Sequence, residues 1–327
     1  MSGNIDGISE RPVAECTAAQ VADALTRSFE GYMVPVDVNA RGYEQRFRPE
    51  NVDPFSSYVY FREKRPVAII LIARRGWTSR VAAMAVVPEE RGRGFGKRII
   101  SGAIRKAARR ADRTVLLEVF EHNTPAVNLY TGLGFRPLRR LVGFSRQPGG
   151  AAPDAVDVPS ELDPLDVARV VAKEGESGLP WMLTAETLAG AVYPARAYHL
   201  DHRAYALIGD VGANVISLTA LVVPRAHRRE GWATRLMRAL YAQYPDKAWS
   251  IPQLVPEGLA PAFFARSGWR LQDTNQLEMA LDLSHKSGGG ANRSSHSADC
   301  SEANRHPNRW LPHRSPTDGP KQEHGPQ

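Results

Sequence analysis

Three features of this 327-residue chain combine residue types that can do chemistry. The first is Arg91-Gly92-Arg93-Gly94-Phe95-Gly96, followed by Lys97 and Arg98. Glycines lack a Cβ, so their backbone N–H groups can close on an anion, and a helix starting there adds about half a positive charge. With Arg91, Arg93, Lys97 and Arg98 around it the loop suits a pyrophosphate; taken alone, it reads equally well as a helix cap. The Gly-x-Gly-x-x-Gly order and a later ribose-binding acid are missing, and no Gly-Lys-Ser/Thr follows, so it is neither a dinucleotide fingerprint nor a Walker loop. The second feature is Glu118, a carboxylate inside the apolar run 115–120. Alternation puts it on the face of Leu116 and Phe120, where half-burial pushes a carboxyl pKa upward towards general-base values; a glutamate paired with a nearby arginine is the other reading. The third is Tyr130, whose phenol can donate a proton or pack as an aromatic on a short helix. His122 competes as a base, although a single histidine at a strand end is an ordinary surface residue.

The elements that must hold these groups are legible in the periodicity. Residues 81–87 form a continuous apolar run, as a buried central strand requires. After the glycines, Ile99, Ile100, Ala103, Ile104 and Ala107 recur at helical spacing with Arg105, Lys106, Arg109 and Arg110 opposite. A strand at Thr114–Phe120, a helix over 125–131 and a strand over 136–144 follow, the helix opened by Pro125 and ended at Gly134. The pattern then repeats. Val86-Val87-Pro88 and Arg91-Gly92-Arg93-Gly94 recur as Val222-Val223-Pro224 and Arg228-Arg229-Glu230-Gly231, and Leu129-Tyr130 with Gly134-Phe135 recur as Phe263-Phe264 with Gly268-Trp269. Two matches in parallel register imply a tandem duplication. The second copy is expected to hold strand 215–223, helix Trp232–Gln243, strand 248–254, helix 257–266 and strand 269–283, with Gln276 to Met279 closing its own sheet. The fold class is a mixed α/β sheet with helices on its faces. Domains are expected at 11–147 and 165–283, joined by a Gly/Pro-rich linker at 148–164. A disordered tail at 284–327 carries five of the nine histidines, read as a solvated segment.

Composition narrows the partners. A chain that is 43% hydrophobic and 24% charged can bury ordinary cores. Residues 1–12 hold no apolar leader, and no run approaches the ~18 apolar residues of a membrane helix. Cys16 and Cys300 cannot form a disulfide framework or a tetrahedral zinc site, which fits a reducing, cytoplasmic setting without metal. The net charge of +7 suggests an anionic partner. Nucleic acid is a poor fit, because no aromatic-basic stripe accompanies the charge.

Read together, Val86-Val87-Pro88-x-x-Arg91-Gly92-x-Gly94-x-Gly96 and Glu118-Val119-x-x-x-Asn123-x-x-Ala126-x-x-Leu129-Tyr130-x-x-x-Gly134-Phe135 resemble the GNAT superfamily of N-acetyltransferases, two-domain members included. The match is dense over 81–144 and looser over 215–283. The resemblance implies acetyl-CoA as co-substrate, its diphosphate on the amides of Gly92, Arg93, Gly94, Phe95, Gly96 and Lys97. It implies that the pantetheine arm runs along Met84, Ala85 and Val86, with the Val86 N–H as oxyanion donor, and that Asn123 contacts the cofactor. It also implies Glu118 as base, as in ribosomal-protein N-terminal acetyltransferases, and Tyr130 as acid beside the sulfur. An alkylamine with pKa near 10 must lose a proton before direct attack in a ternary complex, so a base is needed and a protein nucleophile is not. Cys16 is then an incidental hydrophobe. In relatives the first two helices line the acceptor site, which makes Tyr32, Met33 and Trp77 candidate contacts, with packing under a loop as the other reading.

The second copy departs from the pattern. Phe264 replaces Tyr130, Glu257 replaces Asn123, Glu230 enters the loop, and 248–254 carries no acid but contains Pro252. Catalysis is therefore expected in the first copy and a structural or substrate-shaping role in the second. The activity expected is acetyl transfer to a primary amine, on a small molecule or a protein. A non-catalytic acyl-CoA sensor is the alternative. Neither the acceptor nor the oligomeric state is legible in the sequence.

Overall fold

The computed structural model describes residues 7–33, 36–149 and 157–284. The histidine-rich tail from 285, residues 150–156 of the expected linker, and Val34 and Pro35 of the acceptor-side segment lie outside the described residues.

The first half is built from β1 (Ile8–Pro12), α1 (Ala18–Ser28), α2 (Ala40–Phe47), β2 (Tyr58–Arg62), β3 (Arg65–Arg75), β4 (Thr78–Val86), α3 (Phe95–Arg109), β5 (Thr114–Phe120), α4 (Thr124–Gly132) and β6 (Arg136–Arg146). The second half follows with β7 (Ser160–Leu162), α5 (Pro164–Glu174), α6 (Ala185–Leu188), β8 (Arg196–Leu200), β9 (Ala204–Ile208), β10 (Val215–Val222), α7 (Trp232–Gln243), β11 (Ala248–Pro256), α8 (Pro261–Arg266), β12 (Arg270–Leu271) and β13 (Gln276–Asp282). The elements expected around the loops are present, with ends shifted by one or two residues in most cases. Two differ more. The helix expected from 257 starts at Pro261, because Gly258 and Ala260 take positive φ and Glu257 sits in the turn after β11, its N–H donating to the Arg140 carbonyl. The strand expected over 269–283 is broken into β12 and β13.

One mixed sheet runs through both halves in the order β1-β2-β3-β4-β5-β13-β6-β11-β10-β9-β8-β7, with β12 alongside β6. The expectation that Gln276 to Met279 close the second copy's own sheet is overturned. β13 inserts antiparallel between β5 and β6 of the first half, pairing with β5 over its whole length and with β6 from Gln276 to Ala280. In return β6 runs on past Leu141 to pair with β11 and β12 of the second half. The exchange is reciprocal, so each half's core contains strands from both. Met279, Leu281 and Leu283 lie in the cluster formed by β4, α3, β5 and Tyr130.

Both halves share a fork. β4 and β5 pair in parallel only over four residues, from Thr78↔Thr114 to Val81↔Leu117, and then diverge while β4 continues along β3. β10 and β11 do the same, pairing from Val215↔Ala248 to Ser217↔Ser250. Parting strands leave N–H and C=O groups without a ladder partner, an arrangement that a ligand with an amide backbone can complete.

Candidate active site

The anion loop lies where β4 hands over to α3. Gly92 and Gly94 both take φ of +75°, which L side chains rarely adopt, and Gly94 is the N-cap of α3. A Cβ at either would meet nothing within 4 Å, so the space above the loop is open. The Arg98 N–H reaches back to the Gly94 carbonyl, whereas the N–H groups of Phe95, Gly96 and Lys97 stand in the first turn with no intrahelical acceptor. Gly96 faces the fork: a Cβ there would sit 3.8 Å from Met84 and 3.9 Å from Leu129. Phe95 is buried under the helix, edge-on to Tyr60 at 5.5 Å, so only its backbone can serve an anion. The side chains of Arg93 and Lys97 are exposed; Arg93 lies 3.5 Å from Glu90.

Arg91 is not part of the cradle. Its Nε donates to the Val86 carbonyl at 2.9 Å, and Nη2 donates to the carbonyls of Ser28 and Glu30 at 3.1 and 2.7 Å. The expectation that it adds a cation beside the anion is corrected: its guanidinium ties the end of α1 to the tip of β4. Arg228 repeats this in the second half, donating to the Val223 and Glu174 carbonyls at 3.1 and 2.6 Å.

The Val87 N–H donates to the Val67 carbonyl on β3. Alternation then turns the N–H groups of Val86 and Met84 the other way, into the fork, with Ala85 between them facing β3. This edge and the first turn of α3 form one continuous strip of donors.

Tyr130 stands behind the fork. It is 7% exposed and packs with Val115, Leu117 and Val119 on the α3 side of the sheet, its ring 5.8 Å from Phe135. Burial, and secondarily the Tyr32 phenol nearby, push its pKa well above the usual tyrosine value, so the hydroxyl keeps its proton. Asn123 caps α4, its Oδ1 accepting from the Ala126 N–H at 3.3 Å, and its side chain also meets the Tyr32 phenol. Tyr32 packs edge-on to Phe29 and 6.2 Å from Phe120, which places it at the mouth of the fork with Met33, which is exposed. Trp77 is elsewhere. It sits 60% exposed in the turn before β4, roughly 20 Å along the strand from Met84, so its candidacy as an acceptor contact is corrected. His122 is exposed beside Phe120, and Cys16 packs against the α1–α2 cluster.

Glu118 is on the opposite face from Tyr130, as alternation requires, and there it is paired. Arg80 donates through Nε to both carboxylate oxygens at 3.0 and 2.8 Å and approaches one again through Nη2 at 2.7 Å. The other arm of Arg80 donates to Glu50 at 2.6 Å. All three side chains are nearly closed to solvent, Arg80 at 7%, Glu50 at 6% and Glu118 at 5% exposure. Directly across the β5–β13 ladder from Glu118 stands Glu278, itself ion-paired with Arg139 of β6. A row of charges, Arg139, Glu278, Glu118 and Arg80, therefore crosses four adjacent strands, with Glu50 at its end. Burial raises the pKa of both Glu50 and Glu278, opposed by their arginines.

Arg80, Glu50, Arg139 and Glu278 escaped the sequence reading. One signal was available: Glu278 interrupts the apolar run 277–283 as Glu118 interrupts its own. The second half closes over this cluster. Trp181 donates its indole N–H to the Glu50 carbonyl at 2.9 Å, and Arg75 stacks on Trp181 while donating to Thr184 and Thr187. Among the described residues no group of three His, Cys, Asp or Glu is placed to hold a metal, and no helix is long and apolar enough to cross a membrane.

Comparison with known proteins gives the same fold. Residues 19–135 match the model of the Acetyltransferase (GNAT) family. A GCN5-related N-acetyltransferase from Sphaerobacter thermophilus superposes with a TM-score of 0.61 at 16% identity, covering 85% of this chain and 96% of that one. A tandem GNAT protein from the clavulanic acid biosynthesis pathway gives 0.61 at 16% identity, covering 87% and 100%. A GCN5-related N-acetyltransferase from Kribbella flavida gives 0.53 at 17% identity, covering 84% and 71%. No curated protein matches the chain in sequence.

Proposed function

We propose, from the GNAT acetyltransferase domain in residues 19–135, that the first half transfers an acetyl group from acetyl-CoA to a primary amine. The observation that carries this reading is the fork itself: the inward N–H groups of Met84 and Val86 run into the open first turn of α3, with Tyr130 buried behind. That strip fits a pantetheine arm and diphosphate by the chemistry of its donors. Acetyl-CoA supplies the activated acyl carbon. The chain's own groups bind the anion, hold the carbonyl against the Val86 N–H and move two protons.

The incoming amine lies on the face of Tyr32 and Glu118, and Tyr130 stands on the other. As nitrogen bonds to the acyl carbon and the carbon–sulfur bond breaks, a base takes the ammonium proton and Tyr130 returns one to the leaving thiolate. A phenol held protonated by burial suits the second task. Glu118 suits the first only after the amine displaces one of its bonds from Arg80, since both oxygens are engaged. That engagement is also what supports a second reading, in which the domain binds acyl-CoA as a sensor without turnover. The reading keeps catalysis in the first half, the second half shaping the site through β13 and Trp181, and the protein in the cytoplasm.

A free-thiol assay with acetyl-CoA against a panel of small amines and peptide N-termini separates the two. Transfer predicts thiol release with at least one amine, and in Tyr130→Phe a fall of about 10²-fold or more with acetyl-CoA affinity unchanged. No release with any amine, or a Tyr130→Phe variant as fast as the parent, refutes it.

A further inference from the structure

A cavity opens at the second-half fork. It has a volume of about 600 Å³ and lies between β10 and β11. Its walls reach from Leu259, Phe263 and Phe264 on the α7–α8 side to Val171, Leu183 and Leu188 on the α5–α6 side, so it passes through the sheet. Strand register explains why it is open here. Arg80 stands two residues after the first β4–β5 pair and Glu118 four; the same counts from the first β10–β11 pair reach Ser217 and Pro252. Where the first half is plugged by a guanidinium and two carboxylates, the second has a hydroxymethyl and a pyrrolidine ring, and both line the cavity.

We propose that this cavity is a binding site for an unbranched fatty-acyl chain, held with its anionic head at the loop before α7 and not turned over. The volume falls within the ~300–1,000 Å³ of small-molecule sites. A passage through the gap between two parting strands admits a methylene chain and excludes a wide ring system. The mouth is cationic. Arg229 and Arg266 line it and neither has an ion-pair partner among the described residues, while the Glu230 carboxylate accepts from the Trp232 indole N–H at 2.9 Å and lies 3.7 Å from His227. Reaction is disfavoured because Phe264 replaces the phenol and Pro252 the carboxylate. One wall, the segment carrying Leu183 and Leu188, is the same segment that clamps Glu50 and Arg75 in the first half.

The full chain titrated calorimetrically with octanoate, dodecanoate, hexadecanoate, hexadecanoyl-CoA and free CoA tests this without using acetyl transfer. One equivalent of acyl chain should bind, with affinity rising about tenfold for every two methylenes. Ala220→Trp and Ser217→Phe, both filling the cavity, should each weaken hexadecanoate at least about tenfold and leave free CoA binding unchanged. If hexadecanoyl-CoA binds more tightly than hexadecanoate, and the difference disappears in R229E/R266E, the head is a thioester; equal affinities identify a free carboxylate. Affinity independent of chain length overturns the proposal. So does a folded filling variant that binds hexadecanoate as the parent does.

Discussion

Replacing Arg80 with methionine removes the one cation shared by two buried carboxylates. Glu50 and Glu118, at 6% and 5% exposure, then lose their shared ion-pair partner, and Arg46 is left as a more distant cation acting on Glu50. Breaking a buried pair by deleting one partner costs about 3–5 kcal/mol, because the remaining charge is left desolvated. Against a domain stability of about 5–15 kcal/mol that is about a fifth of the total or more. The pH dependence has a definite sign. Burial already raises the folded pKa of Glu50 against the pull of Arg80, and removing Arg80 leaves burial unopposed by it. A group whose folded pKa is raised contributes stability below its unfolded value and loses it as pH rises through the folded value. The deficit of Arg80→Met is therefore larger at neutral pH and shrinks as pH falls towards the ordinary glutamate value of about 4.3. Urea unfolding followed by tryptophan fluorescence at both ends of that window measures it. The triple variant E50L/R80M/E118L, which replaces the charges by apolar groups, should return to within about 1–2 kcal/mol of the parent. A neutral-pH deficit below about 1 kcal/mol, or one that does not shrink on acidification, refutes the reasoning.

Three further outcomes follow from named contacts. Because burial holds the Tyr130 phenol above its ordinary pKa of about 10, the acetylation rate should show no loss from tyrosine ionisation up to pH about 10; a fall within that range in a rate–pH profile excludes Tyr130 as the acid. Gly94→Val forces a β-branched residue to φ near +75°, so it should cost at least about 1–2 kcal/mol in thermal unfolding and weaken acetyl-CoA binding about tenfold or more by calorimetry. Truncation after Gln272 removes the strand between β5 and β6 together with Met279, Leu281 and Leu283, so the first half should lose cooperative unfolding and become protease-sensitive. A truncated chain that still unfolds cooperatively through residues 7–146 would show that β13 is dispensable.

The residues themselves determined the local elements and the pairing of loop with helix. The apolar run before the glycines, the helical spacing after them and the recurrence at 222–233 are short-range patterns, and backbone geometry reads such patterns without help from distant chain. Glu118 was visible for the same reason, as a carboxylate where periodicity demands an apolar residue, and Tyr130 by the chemistry of its phenol within the family-like pattern. What the tertiary structure alone decided was partnership. Period-2 alternation states which face of 276–282 is buried but not which two strands flank it, so the insertion of β13 between β5 and β6 had no sequence signature. Arg91 reads as a phosphate ligand by its place in the loop, and only the nearness of the Ser28 and Glu30 carbonyls turns it into a tie between helix and strand. Likewise, whether a buried carboxylate is a free base or half of an ion pair depends on a residue 38 positions away, and whether a fork is plugged or hollow on which side chains meet across it. Those meetings are set by packing between distant segments, where free energy is decided by contact rather than by spacing along the chain.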